Sequence, residues 1–206
     1  MHSVQVSGYL LLALSSSDTD RGAERGAPSE GDQTVNAFIT AMQLSVAAAF
    51  VSIPLVRARF GAVATEAAHA ELRRQDVRTT VLEENGMRFD AGGHETWAPV
   101  SIATVLAATA GLNLAGVSWA GVVNWVVLGL VLAINIVILY SNLTATGSVR
   151  AAFARKGDPE LARIDVAALL KAAEGGFPRW VWVVQNVRHV IVFGAAALAL
   201  TATALA

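Results

Sequence analysis

A cluster of residues able to do chemistry falls within one short run, Trp180-Val-Trp182-Val-Val-Gln185-Asn186-Val-Arg188-His189. Trp182, Gln185 and His189 recur at helical spacing, and Arg188 stands beside them. A guanidinium and amides suit an anionic or phenolic oxygen, and an imidazole can accept a proton near neutral pH. Blander accounts compete. Tryptophans commonly mark a membrane interface. An arginine nine residues past Arg179, about 13 Å along a helix, can snorkel to that interface.

A second set is spread along one segment. Asn124, Asn135 and Asn142 are separated by 11 and 7 residues. At about 100° per residue these offsets place all three on one helical face, within roughly 20°. Amides in an apolar environment either join helices or line a polar groove.

The elements that must carry these residues are membrane spans. The chain is 54% hydrophobic and only 15% charged, with a mean hydropathy of +0.52; soluble domains average about 25% charged residues. Long charge-free runs alternate with charge-rich ones. An apolar run of about 20 residues is needed to cross a bilayer as a helix. Four segments qualify: 36–56, 98–117, 121–141 and 180 to the C-terminus. The expected fold is all-α, a polytopic membrane four-helix bundle with two partly helical loops. Residues 1–35 read as a disordered or interfacial N-terminal segment, and 36–206 as the transmembrane domain. Within the former, Val4–Leu14 is apolar but too short to span.

Of the 15 basic residues, six lie in loop 57–97 and six in loop 142–179, with none between the second and third spans. The positive-inside rule then predicts a multi-pass cell-membrane protein with both loops cytoplasmic and both termini outside. In the first loop, Ala62–Glu84 reads as a helix ended by Asn85-Gly86. In the second, Asp158 caps a helix with Pro159 at its first position and Gly175 just past its end. Its apolar face, Leu161, Ile164 and Ala168, is free to lie on the membrane or against the first loop.

A Glu66-x-x-His69 pair precedes Glu71, Asp90, His94 and Glu95. Di-iron carboxylate bundles need such a pair twice, on facing helices. A single pair amid solvated charges reads as an exposed helix, and no metal site is assigned. The chain lacks cysteine, which excludes disulfides and thiolate chemistry. A net charge of −1 gives no field for nucleic acid, and no such motif is present.

The segments Ile53-Pro54-Leu55, Asn142-Leu-Thr144-Ala-Thr146, Asp158-Pro159, Trp182 and Gln185-Asn186-Val187-Arg188 resemble the motifs of a family of small four-helix membrane proteins that includes the anthrone oxygenases. Thr144, Thr146 and Gln185 stand where that pattern has proline, asparagine and asparagine. The resemblance covers most of the chain after Asn36. It implies oxidation of an electron-rich aromatic, an anthrone or phenol of polyketide type, by O₂ with no tightly bound cofactor. His189, Arg188 and Asn142 would be catalytic, as base, cation and amide donor. Trp182, Gln185, Asn186, Asn135 and Tyr140 would bind the substrate. The competing class is a non-enzymatic scaffold, assembly partner or transport accessory using the same polar residues to join helices. The partners expected are the lipid bilayer and a small apolar aromatic; a homo-oligomer is compatible with either reading.

Overall fold

In the computed structural model, residues 30–92 and 94–205 are described. Among them the regular structure is entirely helical: α1 (Glu30–Arg74), α2 (Val81–Glu84), α3 (His94–Leu114), α4 (Ala120–Lys156), α5 (Pro159–Ala162), α6 (Val166–Gly175) and α7 (Trp180–Leu205). Four of these, α1, α3, α4 and α7, contain stretches long and apolar enough to cross a membrane. Helix α1 packs on α3 and α7, and α4 adjoins both α3 and α7, so the four form a closed bundle. Its core joins Phe50 and Val46 of α1, Leu106 of α3, Leu128 and Val131 of α4, and Val192 of α7. Ala195, Ala196 and Ala199 are also buried on α7; small residues let helix backbones approach closely where lipid gives no hydrophobic drive.

The helices outrun the expected spans. Helix α1 has 45 residues, about 68 Å at 1.5 Å per residue, against a bilayer core of about 30 Å. It starts at Glu30, so the last six residues of the segment expected to be loose are helical; Val4–Leu14 lies outside the described residues. It also continues through Pro54 to Arg74. The separate helix expected from Ala62 to Glu84 is the outer half of α1, followed by a turn with Asp76 at φ 57° and then α2. Asn85-Gly86 ends α2 as expected, with Gly86 at φ 66°. Helix α4 likewise passes Ser141 and ends only at Gly157, which adopts φ 67° after Arg155 and Lys156. Those basic side chains suit the negative end of the helix dipole.

The second loop holds two helices where one was expected. Asp158 accepts a hydrogen bond from Glu160 N (2.8 Å) and Pro159 follows it, which starts α5. Asp165 then accepts from Ala168 N (3.1 Å) and starts α6. A second capping carboxylate offers the backbone a local partner, and the helix restarts there.

The two loops pack together as a second core. Leu72 and Ala68 of α1 and Val81 and Leu82 of α2 meet Phe153, Leu161, Ile164, Val166 and Leu169. The apolar face of the second loop therefore lies against the first. Gln75 joins them: its Nε2 donates to Glu71 Oε1 (2.7 Å) and Asp165 O (3.3 Å), and its Oε1 accepts from Asp165 N (2.8 Å). Arg78 Nε lies 2.9 Å from Glu160 Oε2. Hydrogen bonds from Arg74, then from Gln75, hold the Glu71 carboxyl at about 2, well below its ordinary value near 4.5.

Candidate functional site

A cavity of about 620 Å³ opens where the bundle meets the second core. Its wall is mostly apolar, with Ile53 and Val56 from α1, Ile138 from α4, Phe177, and Trp182 and Val184 from α7. Asn142, Gln185 and Arg188 are polar groups in that wall, and Arg57, Arg88 and Glu174 also border it. Helices α4 and α7 run antiparallel, so the later part of one lies beside the start of the other, and Asn142 shares the cavity with Gln185 and Arg188.

Two glycines seat the surrounding segments. A Cβ on Gly61 would lie 2.5 Å from Asp90 Cα and 2.6 Å from Phe89 O. A Cβ on Gly176 would collide with the backbone of Ala64. Both residues thus bring backbone against α1 that no side chain would allow. The first contact places Phe89 at the cavity; the second fixes the turn that carries Glu174 and Phe177. Arg57 adds to this, donating from Nη2 to Arg88 O (2.7 Å) and from Nε to Phe89 O (3.4 Å).

Arg188 is only 5% exposed. Its Nη2 lies 3.2 Å from His189 Nε2, and its Nη1 meets no hydrogen-bond partner among the described residues. A guanidinium is always a donor, so this geometry makes Nε2 the acceptor and puts the imidazole hydrogen on Nδ1.

The sequence-derived candidates thus divide. Asn142, Trp182, Gln185 and Arg188 are gathered at one cavity. His189 was expected to face the ligand as a base; it is not part of the lining, and its accepting nitrogen is turned to Arg188. Tyr140 is 67% exposed and does not border the cavity, because two residues before Asn142 is about 200° around the helix. Asn186, next to Gln185, is exposed and also lies outside the lining. Asn135 is fully buried, and neither of its amide atoms has a partner among the described residues.

Asn124 is committed elsewhere. Its Oδ1 accepts from Gln43 Nε2 (2.8 Å) and Asn113 Nδ2 (3.1 Å), and its Nδ2 donates to Asn113 Oδ1 (2.9 Å). Asn113 Nδ2 also donates to Gln43 Oε1 (2.8 Å). These three buried amides tie α1, α3 and α4 together. Gln43 and Asn113 were not singled out from the sequence; the signal available was an amide inside each of two mostly apolar runs.

The Glu66-His69 pair is part of an exposed ion-pair chain, with Glu66 Oε1 2.6 Å from Arg73 Nη2 and His69 Nδ1 3.9 Å from Glu66 Oε2. Among the described residues no three His, Asp or Glu side chains gather in a way that could hold a metal. No protein family, no curated protein and no solved structure matches the chain.

Proposed function

We propose that the chain is a multi-pass membrane protein that admits a small electron-rich aromatic, an anthrone or phenol, into the cavity and promotes its oxidation by O₂ without a tightly bound cofactor. The observation that carries this reading is an apolar cavity of about 620 Å³ with Asn142, Gln185 and Arg188 in its wall. Pockets for small organic ligands have this character, apolar overall with a few polar groups that set orientation. In this reading Trp182 lies along the ring. Arg188, Asn142 and Gln185 stabilise the oxyanion that forms when the substrate loses a proton to water at the charged rim. The resulting carbanion passes one electron to O₂, and the two radicals join in a C–O bond. The peroxide then loses water, so a ring CH₂ and O₂ become C=O and H₂O. His189 orients the Arg188 guanidinium.

Purified protein supplied with a panel of anthrones should consume one O₂ for each ring CH₂ oxidised to a carbonyl. The absence of uptake across the panel would leave the scaffold reading, which the closed ring of Gln43, Asn113 and Asn124 favours by using amides as joints. The membrane orientation is tested separately. Reporters fused after Arg88 and Lys156 should read cytoplasmic and one at Gly116 outside. The shared core of loops 57–97 and 142–179 supports placing both on one side.

A further inference from the structure

We propose that the occupant of this cavity is a small amphiphilic monoanion, one anionic oxygen on an apolar body, and that this oxygen is the missing partner of Arg188. The inference rests on the ligand-binding reading above and narrows its substrate class. Arg188 is 95% removed from solvent, as its 5% exposure states. Among the described residues its hydrogen-bond partner is the neutral acceptor His189, and Nη1 has none. No carboxylate among the described residues lies within ion-pairing distance of it, although such pairs are formed by Arg73, Arg74, Arg78 and Arg88. A buried charge without a counter-charge is costly, and ionisable groups inside a membrane bundle are kept chiefly where they serve a ligand or a path.

The other charged groups around the cavity leave that vacancy unfilled. Arg57 on α1 is turned to the carbonyls of Arg88 and Phe89. Arg88 Nε lies 3.4 Å from Asp90. Glu174 on α6 borders the cavity but is exposed and forms no ion pair with Arg188. The cavity thus holds one buried guanidinium, that of Arg188, with no carboxylate beside it among the described residues. Its apolar wall suits a ligand that is otherwise uncharged. A phenolate or a carboxylate on an aromatic body meets both conditions.

The test uses the full chain in neutral maltoside micelles, with 4-nitrophenol as the probe because its anion absorbs visible light. Binding should lower the ionisation midpoint of the probe by about one unit or more relative to empty micelles, as a nearby opposite charge does. The uncharged 4-nitroanisole should not displace it. Displacement by benzoate as well as by phenol would extend the class to carboxylates; displacement by phenol alone would confine it to phenolates. Arg188→Met should abolish the shift, and the ligand-free variant should melt at or above the wild-type temperature, because an unpaired charge has been replaced by an apolar chain of similar reach. An unshifted probe on the wild type, or a shift that persists in Arg188→Met, overturns the proposal. So does a ligand-free Arg188→Met that melts well below wild type, since the guanidinium would then be a structural member. None of these readings uses O₂ uptake. A protein that binds the anion but consumes no oxygen would remove the oxygenase reading and keep this one.

Discussion

Arg188 Nη2 and His189 Nε2, on adjacent residues of α7, lie 3.2 Å apart. The contact works only while the imidazole is neutral, because a protonated ring offers two donors to a donor. In the proposed mechanism His189 therefore acts through Arg188. If turnover is found, Arg188→Ala should abolish it. His189→Ala should lower it about tenfold, the effect of losing roughly 1.4 kcal/mol of transition-state stabilisation. His189→Gln, which keeps an acceptor, should recover much of that loss. A His189→Gln variant as impaired as His189→Ala would show that the imidazole itself is required as a base.

The amide ring of Gln43, Asn113 and Asn124 makes a prediction about stability. Gln43→Leu removes one member and leaves two buried amides short of partners. The expected cost is about 1–2 kcal/mol. Triple replacement by leucine should cost less than the sum of the three single changes, because no amide is then stranded. Thermal melting of the four variants in one detergent checks this; strict additivity would mean that the amides act independently.

Gly176→Ala and Gly61→Ala should each destabilise the protein, by about 1–3 kcal/mol, since the added methyl meets backbone that cannot rotate away. Gly175→Ala is the control, because nothing lies within 4 Å of its Cβ position. If the three variants melt together, the close approach to α1 is not maintained in solution.

Acid should weaken the contact between the two loops. The Glu71 carboxyl is held at about 2, below its ordinary 4.5. Its stabilisation is thus complete above about pH 4.5 and is lost as pH falls toward 2. Glu71→Gln should flatten the part of the acid-melting curve in that window. At neutral pH it should lower the melting temperature by no more than about 3 °C, since the Arg74 side of the ion pair is exposed. An unchanged acid limb in Glu71→Gln would assign that transition to other carboxylates.

The sequence exposed the four long apolar helices because charge-free runs such as 121–141 stand apart from the charged segments around them. It could not place the helix ends. Between Arg57 and Arg74 the polarity changes but no residue interrupts the helix, so the end of the apolar run is not the end of α1. The meeting of Asn142 with Gln185 and Arg188 was legible, because antiparallel neighbours set their depth. The partners of Asn124 were not, since an amide in an apolar run does not disclose which helix it faces. Arg57, Arg88 and Glu174 were hidden for a different reason. In a loop full of charges, only packing such as that of Gly61 and Gly176 selects which ones reach a cavity.

Pro54 gives the longest helix a mechanical pivot. Lacking an N–H, it leaves the carbonyl of Phe50 without its usual intrahelical bond, and helices bend most readily at such points. The pivot sits among Ser52, Ile53, Val56 and Arg57, which all border the cavity. Leu72, anchored in the second core, lies 18 residues farther along α1, a lever of about 27 Å. A swing of about 5° at Pro54 therefore carries Leu72 sideways by about 2 Å, comparable to the helix shifts that accompany switching in other proteins. The cavity is the short arm of that lever and the core formed by the two loops the long one, so strain at either is geared to the other.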